Sequence, residues 1–217
     1  MHRYPAAAGA PMFVFAHGAG AGERHPWMRK VAEGLAARGV SVVTFEFPYM
    51  KEKRGRPDAA PVLENAFAAV WREIGAELQS GHAMFAGGKS MGGRIASQAA
   101  AANALAPRPA GLVFFGYPLH PPGAPEKRRD KHLAATRAPM LFLHGARDPF
   151  GDPDEMRDLV ARLSSSRLHI VAGGDHSLVA TKREDPAGRA VDDAIGIAAR
   201  WILATAGAGS AAGDVPL

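Results

Sequence analysis

Short apolar runs recur along the chain, each of a length typical of a strand. They cover residues 12–16, 40–47, 83–87, 112–116, 140–144 and 168–172. The runs are nearly continuous in apolar residues, whereas a strand with one solvated face alternates apolar and polar positions. The pattern therefore predicts about six strands that are buried on both faces, which favours a mainly parallel sheet.

Segments with a helical period separate these runs. In residues 26–38, Trp27, Val31 and Leu35 recur every four positions, and a longer apolar stripe runs through residues 61–79. Further helices are predicted at residues 91–104, from Asp152 onward and at about residues 187–205. Regular alternation of strand and helix is typical of a three-layer α/β sandwich.

Length and composition indicate one domain. The chain has 217 residues, of which 47% are hydrophobic and 22% charged, so global disorder and a coiled coil are excluded. We divide it into an N-terminal extension at residues 1–10, an α/β domain at 11–205 and a tail at 206–217, where Gly, Ala and Ser predict disorder. No insertion is long enough for a cap domain over the sheet.

The sequence has no cysteine and no long apolar segment, and each absence excludes a class of site or of location. Cysteine is absent, which excludes disulfides, thiolate nucleophiles and Cys-ligated metals. There is no apolar run of about 18 residues and no apolar leader, so we expect a soluble cytoplasmic protein that does not insert into a membrane.

The net charge of +5 raises the question of a nucleic-acid partner. Basic residues are nonetheless spread over the chain. The two basic clusters, at residues 51–56 and 127–131, also contain acids and have no interleaved aromatic residues. We therefore expect solvated loops at both clusters and no binding of nucleic acid.

Residues 88–92 read Gly-Lys-Ser-Met-Gly, between a predicted strand and a predicted helix. This is the context in which a G-x-S-x-G elbow presents a nucleophilic serine, here Ser90. Side chains two residues before and after the serine would collide with neighbouring backbone, so glycine fits there. The Met91 N–H, at the start of the helix, is a candidate oxyanion donor. A phosphate-binding loop is the rival interpretation of Gly-Lys-Ser, but that motif needs glycine at position 83, which is Ala83.

A serine nucleophile needs a base, and the base needs an orienting acid, which in this arrangement follows the serine along the chain. Asp148 comes directly after a predicted strand and is the best candidate. Asp152, Asp154 and Asp158 are alternatives, but their positions favour a helix cap and first turns.

Two histidines follow Asp148 and compete for the role of base. His169 lies inside a strand-like run, where the sheet would fix it. His176 lies in a Gly-rich loop after the last strand, and we favour it. Asp175 adjoins His176, but sequence neighbours usually point apart, so Asp175 is not the expected orienting acid.

Two further loops complete the predicted site. We call residues 17–22 the first loop, and most of them are small enough for close backbone approach to a substrate. The second oxyanion donor of the site is predicted to be the N–H of Ala19 or, failing that, of Gly18. His17 is expected to brace this loop.

The Pro-rich segment 117–136 leaves the carboxyl end of a strand, where α/β sheets bind ligands. Tyr117 and His120 of this segment are therefore candidate substrate-binding residues, as is Lys89 beside Ser90, although a plain surface excursion explains the segment equally well. The site should be shallow and open unless residues 117–136 or 48–60 cover it.

The first loop, the elbow, the strand-end Asp148 and the His176 loop together resemble the α/β-hydrolase superfamily over about residues 11–205. More narrowly, residues 87–94, 116–123 and 174–177 resemble a small branch of bacterial predicted hydrolases, a testis-expressed protein and a domain of a histone-acetyltransferase complex subunit. The chain is also distantly similar to dienelactone hydrolases. Serine in place of their cysteine argues against lactone substrates.

The resemblance implies a triad of Ser90, Asp148 and His176. It also implies that the superfamily's usual N-terminal antiparallel strand pair is missing here, if residues 12–16 form the first strand.

These observations predict a serine hydrolase that cleaves a small ester or related acyl compound through an acyl-enzyme, without a metal or organic cofactor. The alternative is a non-catalytic binding module that retains the fold. The sequence leaves the substrate's identity and the oligomeric state open.

Overall fold

Strands form one central sheet in the computed structural model, which describes the backbone of residues 1–211 and the side chains of residues 1–208. The sheet has seven strands within these residues. They are β1 (His2–Tyr4), β2 (Met12–Ala16), β3 (Ser41–Phe45), β4 (Met84–Lys89), β5 (Gly111–Phe115), β6 (Met140–Gly145) and β7 (Ser166–Val171).

The strand order is β1-β3-β2-β4-β5-β6-β7, and every neighbouring pair except β1–β3 is parallel. All six predicted strands are present, so the predicted parallel sheet is confirmed. The count of six is one too low. Strand β1 lies in the segment predicted as an extension and pairs antiparallel with β3, with His2 opposite Thr44. Hydrophobic patterning misses it because an edge strand that is largely exposed needs no apolar run.

The described residues contain six α-helices, of which five lie between strands and the last follows β7. They are α1 (Pro26–Ala36), α2 (Pro48–Lys51), α3 (Ala60–Glu77), α4 (Met91–Ala101), α5 (Pro153–Ala161) and α6 (Ala190–Ala211). Helix α5 begins with the predicted acidic cap: the Asp152 carboxylate accepts from the N–H groups of Asp154 and Glu155, both at 2.9 Å.

Helix α6 extends beyond the predicted end at about residue 205. It continues to Ala211, so the first part of the predicted disordered tail, residues 206–211, is helical. The rest of that tail, residues 212–217, lies outside the described residues. A buried face that includes Ile195 and Ile202 anchors the helix, and Ala-rich sequence propagates a turn already formed at little cost.

Alternate residues of the strands feed two separate cores. On β2, Phe13 and Phe15 face the layer of α1 and α6, whereas Val14 and Ala16 face the layer of α3, α4 and α5. Trp71 of α3 is fully buried in the second core. The three-layer sandwich is thereby confirmed, and both faces of the sheet are covered as the continuous apolar runs predict.

The parallel strands all point the same way, so their carboxyl ends meet at one edge of the sheet. The first loop follows β2 there, Ser90 follows β4, and Asp148 and His176 follow β6 and β7. Ligands bind to open α/β sheets at this edge. Within the described residues, no helix combines the length and the hydrophobicity that crossing a membrane requires.

Candidate active site

Ser90 occupies a strained turn between β4 and α4. Its backbone has φ 50° and ψ −118°, a conformation that is rare for residues other than glycine. The Ser90 N–H donates to the carbonyl of Phe115 at 3.1 Å, which ties the turn to the neighbouring strand. Met91 begins α4, so its N–H is among the first helical donors, which have no acceptor within the helix.

The glycines on either side of Ser90 are required by space. A Cβ on Gly88 or on Gly92 would lie 2.5 Å from the carbonyl oxygen of Ala16. A Cβ on Gly92 would also lie 2.6 Å from the carbonyl oxygen of His17. The elbow therefore sits directly against the start of the first loop, and the predicted steric reason for both glycines holds.

Three side chains from different loops meet beside this turn. The Nε2 atom of His176 lies 2.8 Å from Ser90 Oγ, and its Nδ1 atom lies 2.8 Å from Asp148 Oδ2. Because a carboxylate only accepts, Nδ1 carries the proton and Nε2 is free to accept from the serine hydroxyl. His169 lies inside β7, as predicted.

Asp148 is fixed in its orientation by its own turn. Its side chain is fully buried, and Oδ1 accepts the Phe150 N–H at 2.9 Å. Burial raises the pKa of the Asp148 carboxyl, but the hydrogen bond from His176, the electrostatic interactions with the His176 and His144 rings and the Phe150 N–H outweigh it and hold that pKa below its usual range. The carboxylate is therefore ionised at neutral pH.

A second histidine, His144, faces Asp148 from inside the fold. It is fully buried, and its Nε2 donates to the carbonyl of Gly151 at 2.7 Å. Burial lowers the pKa of His144, which favours the neutral imidazole with its proton on Nε2. Its Nδ1 lies 3.7 Å from Asp148 Oδ2 and has no hydrogen-bond partner among the described residues.

Buried side chains hold the first loop by its carbonyl groups. The His17 Nδ1–H donates to the Gly18 carbonyl at 2.7 Å while His17 Nε2 accepts the Phe47 N–H at 3.1 Å. The Tyr49 hydroxyl donates to the carbonyls of Gly18 and Ala19 at 3.3 and 2.9 Å. In a trans peptide the N–H points opposite to the C=O, so the Ala19 N–H points away from His17 and Tyr49. The bracing role predicted for His17 is present.

A pocket of about 290 Å³ opens at these groups. Its lining residues are Gly18, Ala19, Gly20, Ala21, His25, Trp27, Met28, Lys89, Ser90, Phe150, His176 and Ser177. Among the described residues that line it, none is acidic. A hollow of about 650 Å³ between β7 and α6 is larger. The three hydrogen-bonded side chains nevertheless identify the smaller pocket as the candidate site.

The domain itself matches a known family. A model of the alpha/beta hydrolase domain matches residues 9–205. The chain belongs to the alpha/beta hydrolase family. The fold is accordingly that of an alpha/beta hydrolase without a large cap, whereas membership of the narrower branch suggested by residues 87–94 stays a prediction.

Solved structures agree with this assignment. Dienelactone hydrolase from Anabaena variabilis superposes on this hydrolase with a TM-score of 0.71 at 23% identity, covering 93% of this chain and 89% of that chain. Monoacylglycerol lipase from Paleococcus ferrophilus superposes with a TM-score of 0.69 at 16% sequence identity, and the match covers 94% of this chain and 98% of that chain. Est1E from Butyrivibrio proteoclasticus with ferulic acid bound superposes with a TM-score of 0.68 at 15% sequence identity, and the match covers 89% of this chain and 90% of that chain. At these identities the similarity establishes the fold alone.

Two of the predicted substrate-binding residues of the hydrolase lie away from the pocket. Tyr117 is buried in the core, and its hydroxyl donates to the carbonyl of Arg129 at 2.7 Å. His120 is also buried, with Nε2 at 3.0 Å from a Glu155 carboxylate oxygen. Both side chains stabilise the segment 117–136 from within. Neither that segment nor residues 48–60 contributes a described residue to the pocket lining, which corrects the expectation for Tyr117 and His120.

The pocket wall includes residues that the sequence did not single out as functional. Trp27 belongs to the apolar pattern that predicts a helix over residues 26–38, and it lies in the first turn of α1, half-buried at the pocket. Phe150 packs on His176, with ring centroids 4.2 Å apart and planes inclined by 31°. Trp27 lies five residues after the first loop and Phe150 two residues after Asp148, and this closeness in sequence to site residues is a signal that could have found both.

Proposed function

We propose that this chain is a serine hydrolase that cleaves a small ester or related acyl compound. The observation that carries the proposal is the continuous chain of hydrogen bonds from Ser90 Oγ through the His176 imidazole to the Asp148 carboxylate, with both bonds at 2.8 Å. This arrangement suits a general base that removes the serine proton during attack on a carbonyl.

In the proposed first step, Ser90 Oγ attacks the acyl carbon as His176 Nε2 takes the hydroxyl proton. The imidazolium is stabilised by Asp148, and it then gives its proton to the leaving alcohol. In the second step, His176 takes a proton from water as the water oxygen attacks the acyl carbon. The bond from that carbon to Ser90 Oγ then breaks, and His176 returns its proton to Oγ, which releases the acid and free Ser90. Protons and charges balance over the two steps without a further reactant.

The negative charge of the tetrahedral intermediate needs donors that are already in place. The N–H groups of Met91 and Ala19 are proposed to supply them. The orientation of the Gly18–Ala19 peptide supports Ala19 over Gly18, because the Gly18 carbonyl is held on the opposite side by His17 and Tyr49.

The pocket supports a small acyl group with apolar character. Trp27, Met28 and Phe150 supply apolar surface, and the volume of about 290 Å³ lies at the lower limit for small-molecule sites. The fold neighbours include a dienelactone hydrolase, an esterase with ferulic acid bound and a monoacylglycerol lipase. All of these names are consistent with hydrolysis of an acyl compound.

Covalent labelling tests the proposal directly. A fluorophosphonate probe should label the folded protein, and peptide mapping should assign the label to Ser90. Ser90→Ala should abolish labelling and turnover of p-nitrophenyl acetate, and His176→Ala should reduce both by about a thousandfold or more. Ser80→Ala is the matched control, because Ser80 is exposed in the turn before β4, at the opposite end of the strand. A folded wild-type protein with neither label nor turnover would favour a non-catalytic module.

A further inference from the structure

Lys89 precedes the proposed nucleophile, yet its ammonium group does not simply project into the pocket. The residue is only 9% exposed, and Nζ donates to the main-chain carbonyl of His176 at 2.6 Å. The Nζ atom also lies 5.8 Å from the centre of the Trp27 ring. A charged donor on a neutral carbonyl makes one of the stronger hydrogen bonds in proteins.

Trp27 holds the next carbonyl of the same loop. Its indole Nε1–H donates to the carbonyl of Ser177 at 2.9 Å. The two donors belong to β4 and α1, whereas the carbonyls belong to the loop after β7. Two rigid elements therefore hold two successive peptide groups of the loop that carries the proposed base.

The sequence leaves space for this contact at Gly116. A Cβ there would lie 2.5 Å from the His176 carbonyl oxygen and 3.2 Å from Lys89 Nζ. Gly116 also has φ 65°, which disfavours other residues. The absence of a side chain at Gly116 thus leaves the space in which Lys89 reaches the His176 carbonyl.

We propose that Lys89 and Trp27 are positioning residues, which hold the main chain at His176 and Ser177 so that the imidazole stays within reach of Ser90 Oγ. This inference rests on the proposed function for its kinetic consequences. It replaces substrate binding with loop positioning as the role of Lys89. A shift of about 1 Å in a reacting group can cost about a hundredfold in rate, so such a constraint affects turnover more than substrate affinity.

Lys89→Met tests the inference, because it removes the donor but keeps an apolar stem against Trp27. We expect kcat for p-nitrophenyl acetate to fall about ten- to a hundredfold, with KM changed less than about threefold. Trp27→Phe keeps a ring and removes only the indole donor, and it should lower kcat in the same way by a smaller factor. Lys30→Met is the control, since Lys30 is an exposed lysine on α1 paired with Asp192, and it should match the wild type.

The pH profile supplies a readout that packing alone would not change. Burial lowers the pKa of Lys89 to about 8, against the opposing charges of Asp148 and Asp175. The wild-type kcat should therefore decline above about pH 8 as the ammonium loses its proton, and Lys89→Met should lack this decline. The charged and titratable groups around the ammonium are Asp148, Asp175, His144 and His176.

Proton NMR of the His176 Nδ1–H provides a measurement that does not depend on turnover. This hydrogen-bonded proton should give a sharp downfield signal in the wild type and a broadened or absent one in folded Lys89→Met. An unchanged signal together with an unchanged kcat would overturn the inference. So would a higher KM confined to negatively charged esters, which would make Lys89 a substrate contact. Failure of the proposed function is separate: the wild type would then lack labelling and turnover, while the NMR signal would still report positioning.

Discussion

Asp148→Asn removes one charge at the centre of the proposed relay while keeping the shape of the side chain. The amide oxygen can still accept the Phe150 N–H, which Asp148 Oδ1 accepts at 2.9 Å. The amide nitrogen then takes the place of Oδ2, 2.8 Å from His176 Nδ1. Because that nitrogen is a donor, it favours the imidazole tautomer with its proton on Nε2, and this tautomer cannot accept the proton of Ser90.

The size of the effect follows from the charges involved. During attack the imidazole becomes positive beside a carboxylate whose side chain is fully buried. Two unit charges about 4 Å apart attract by about 4 kcal/mol at an effective dielectric constant of about 20. The wrong tautomer adds to this loss, so we expect kcat to fall by about 10³- to 10⁴-fold, or about 4 to 5.4 kcal/mol of barrier.

The assay compares kcat for p-nitrophenyl acetate and the rate of fluorophosphonate labelling in the wild type, Asp148→Asn and Asp175→Asn. Asp175 Oδ1 accepts the N–H groups of Ser177 and Val179, at 2.7 and 3.0 Å, and an amide oxygen can accept both. Asp175→Asn should therefore cost less than about tenfold. Thermal unfolding confirms that both variants are folded. If Asp148→Asn retains more than a tenth of the activity, or if Asp175→Asn is the more damaging change, the assignment of the orienting acid is wrong.

Three further outcomes follow from the geometry of the site. Gly92→Ala should lower the free energy of unfolding by about 3 kcal/mol in urea titrations, because the added Cβ meets two carbonyl oxygens. Gly20→Ala is the control: nothing lies within 4 Å of its added Cβ, so its free energy of unfolding should stay within about 0.5 kcal/mol of the wild type. Tyr49→Phe frees the carbonyls of the first loop and should lower kcat about tenfold with little change in KM; an unchanged kcat would remove this loop from the proposed oxyanion site. The pKa of Asp148 is depressed on folding, so its stabilising contribution is present at neutral pH and is lost as the pH falls through the folded-state value. The advantage of the wild type over Asp148→Asn in the free energy of unfolding should therefore persist down to about pH 4, near the ordinary carboxyl pKa of 3.8, and shrink below it; a gap that persists through this acid range would contradict the shift.

Much of the fold was predictable because burial on both faces leaves a strong signal. A strand such as β2 needs apolar residues at every position, and the sequence shows them. Strand β1 leaves no such signal, since it lies at an edge and its register depends on β3, which is distant along the chain. The end of α6 was missed for a related reason: its small residues suit a linker, but the preceding turns are fixed by tertiary packing.

The site divides in the same way. Chain order and the positions of the strand ends were enough to predict that Ser90, Asp148 and His176 lie together, because the carboxyl ends of parallel strands lie at one edge of the sheet. Contacts that depend on side-chain direction were not accessible. Tyr117 follows a strand at the same edge but points into the core, and Lys89 adjoins the nucleophile but bonds to a loop from another part of the chain.

The backbone oxygens of Ala16 and His17 lie so close to the glycines beside Ser90 that no side-chain atom fits between the elbow and the first loop. The candidate nucleophile and both candidate oxyanion donors therefore belong to one mechanical unit, which thermal motion displaces together. Engineering of substrate range should consequently fail at Gly88 and Gly92, whereas Met28 of α1 lines the pocket outside this unit and offers a position for change. A change of pocket shape at Met28 should therefore leave the nucleophile and its candidate oxyanion donors in place relative to one another.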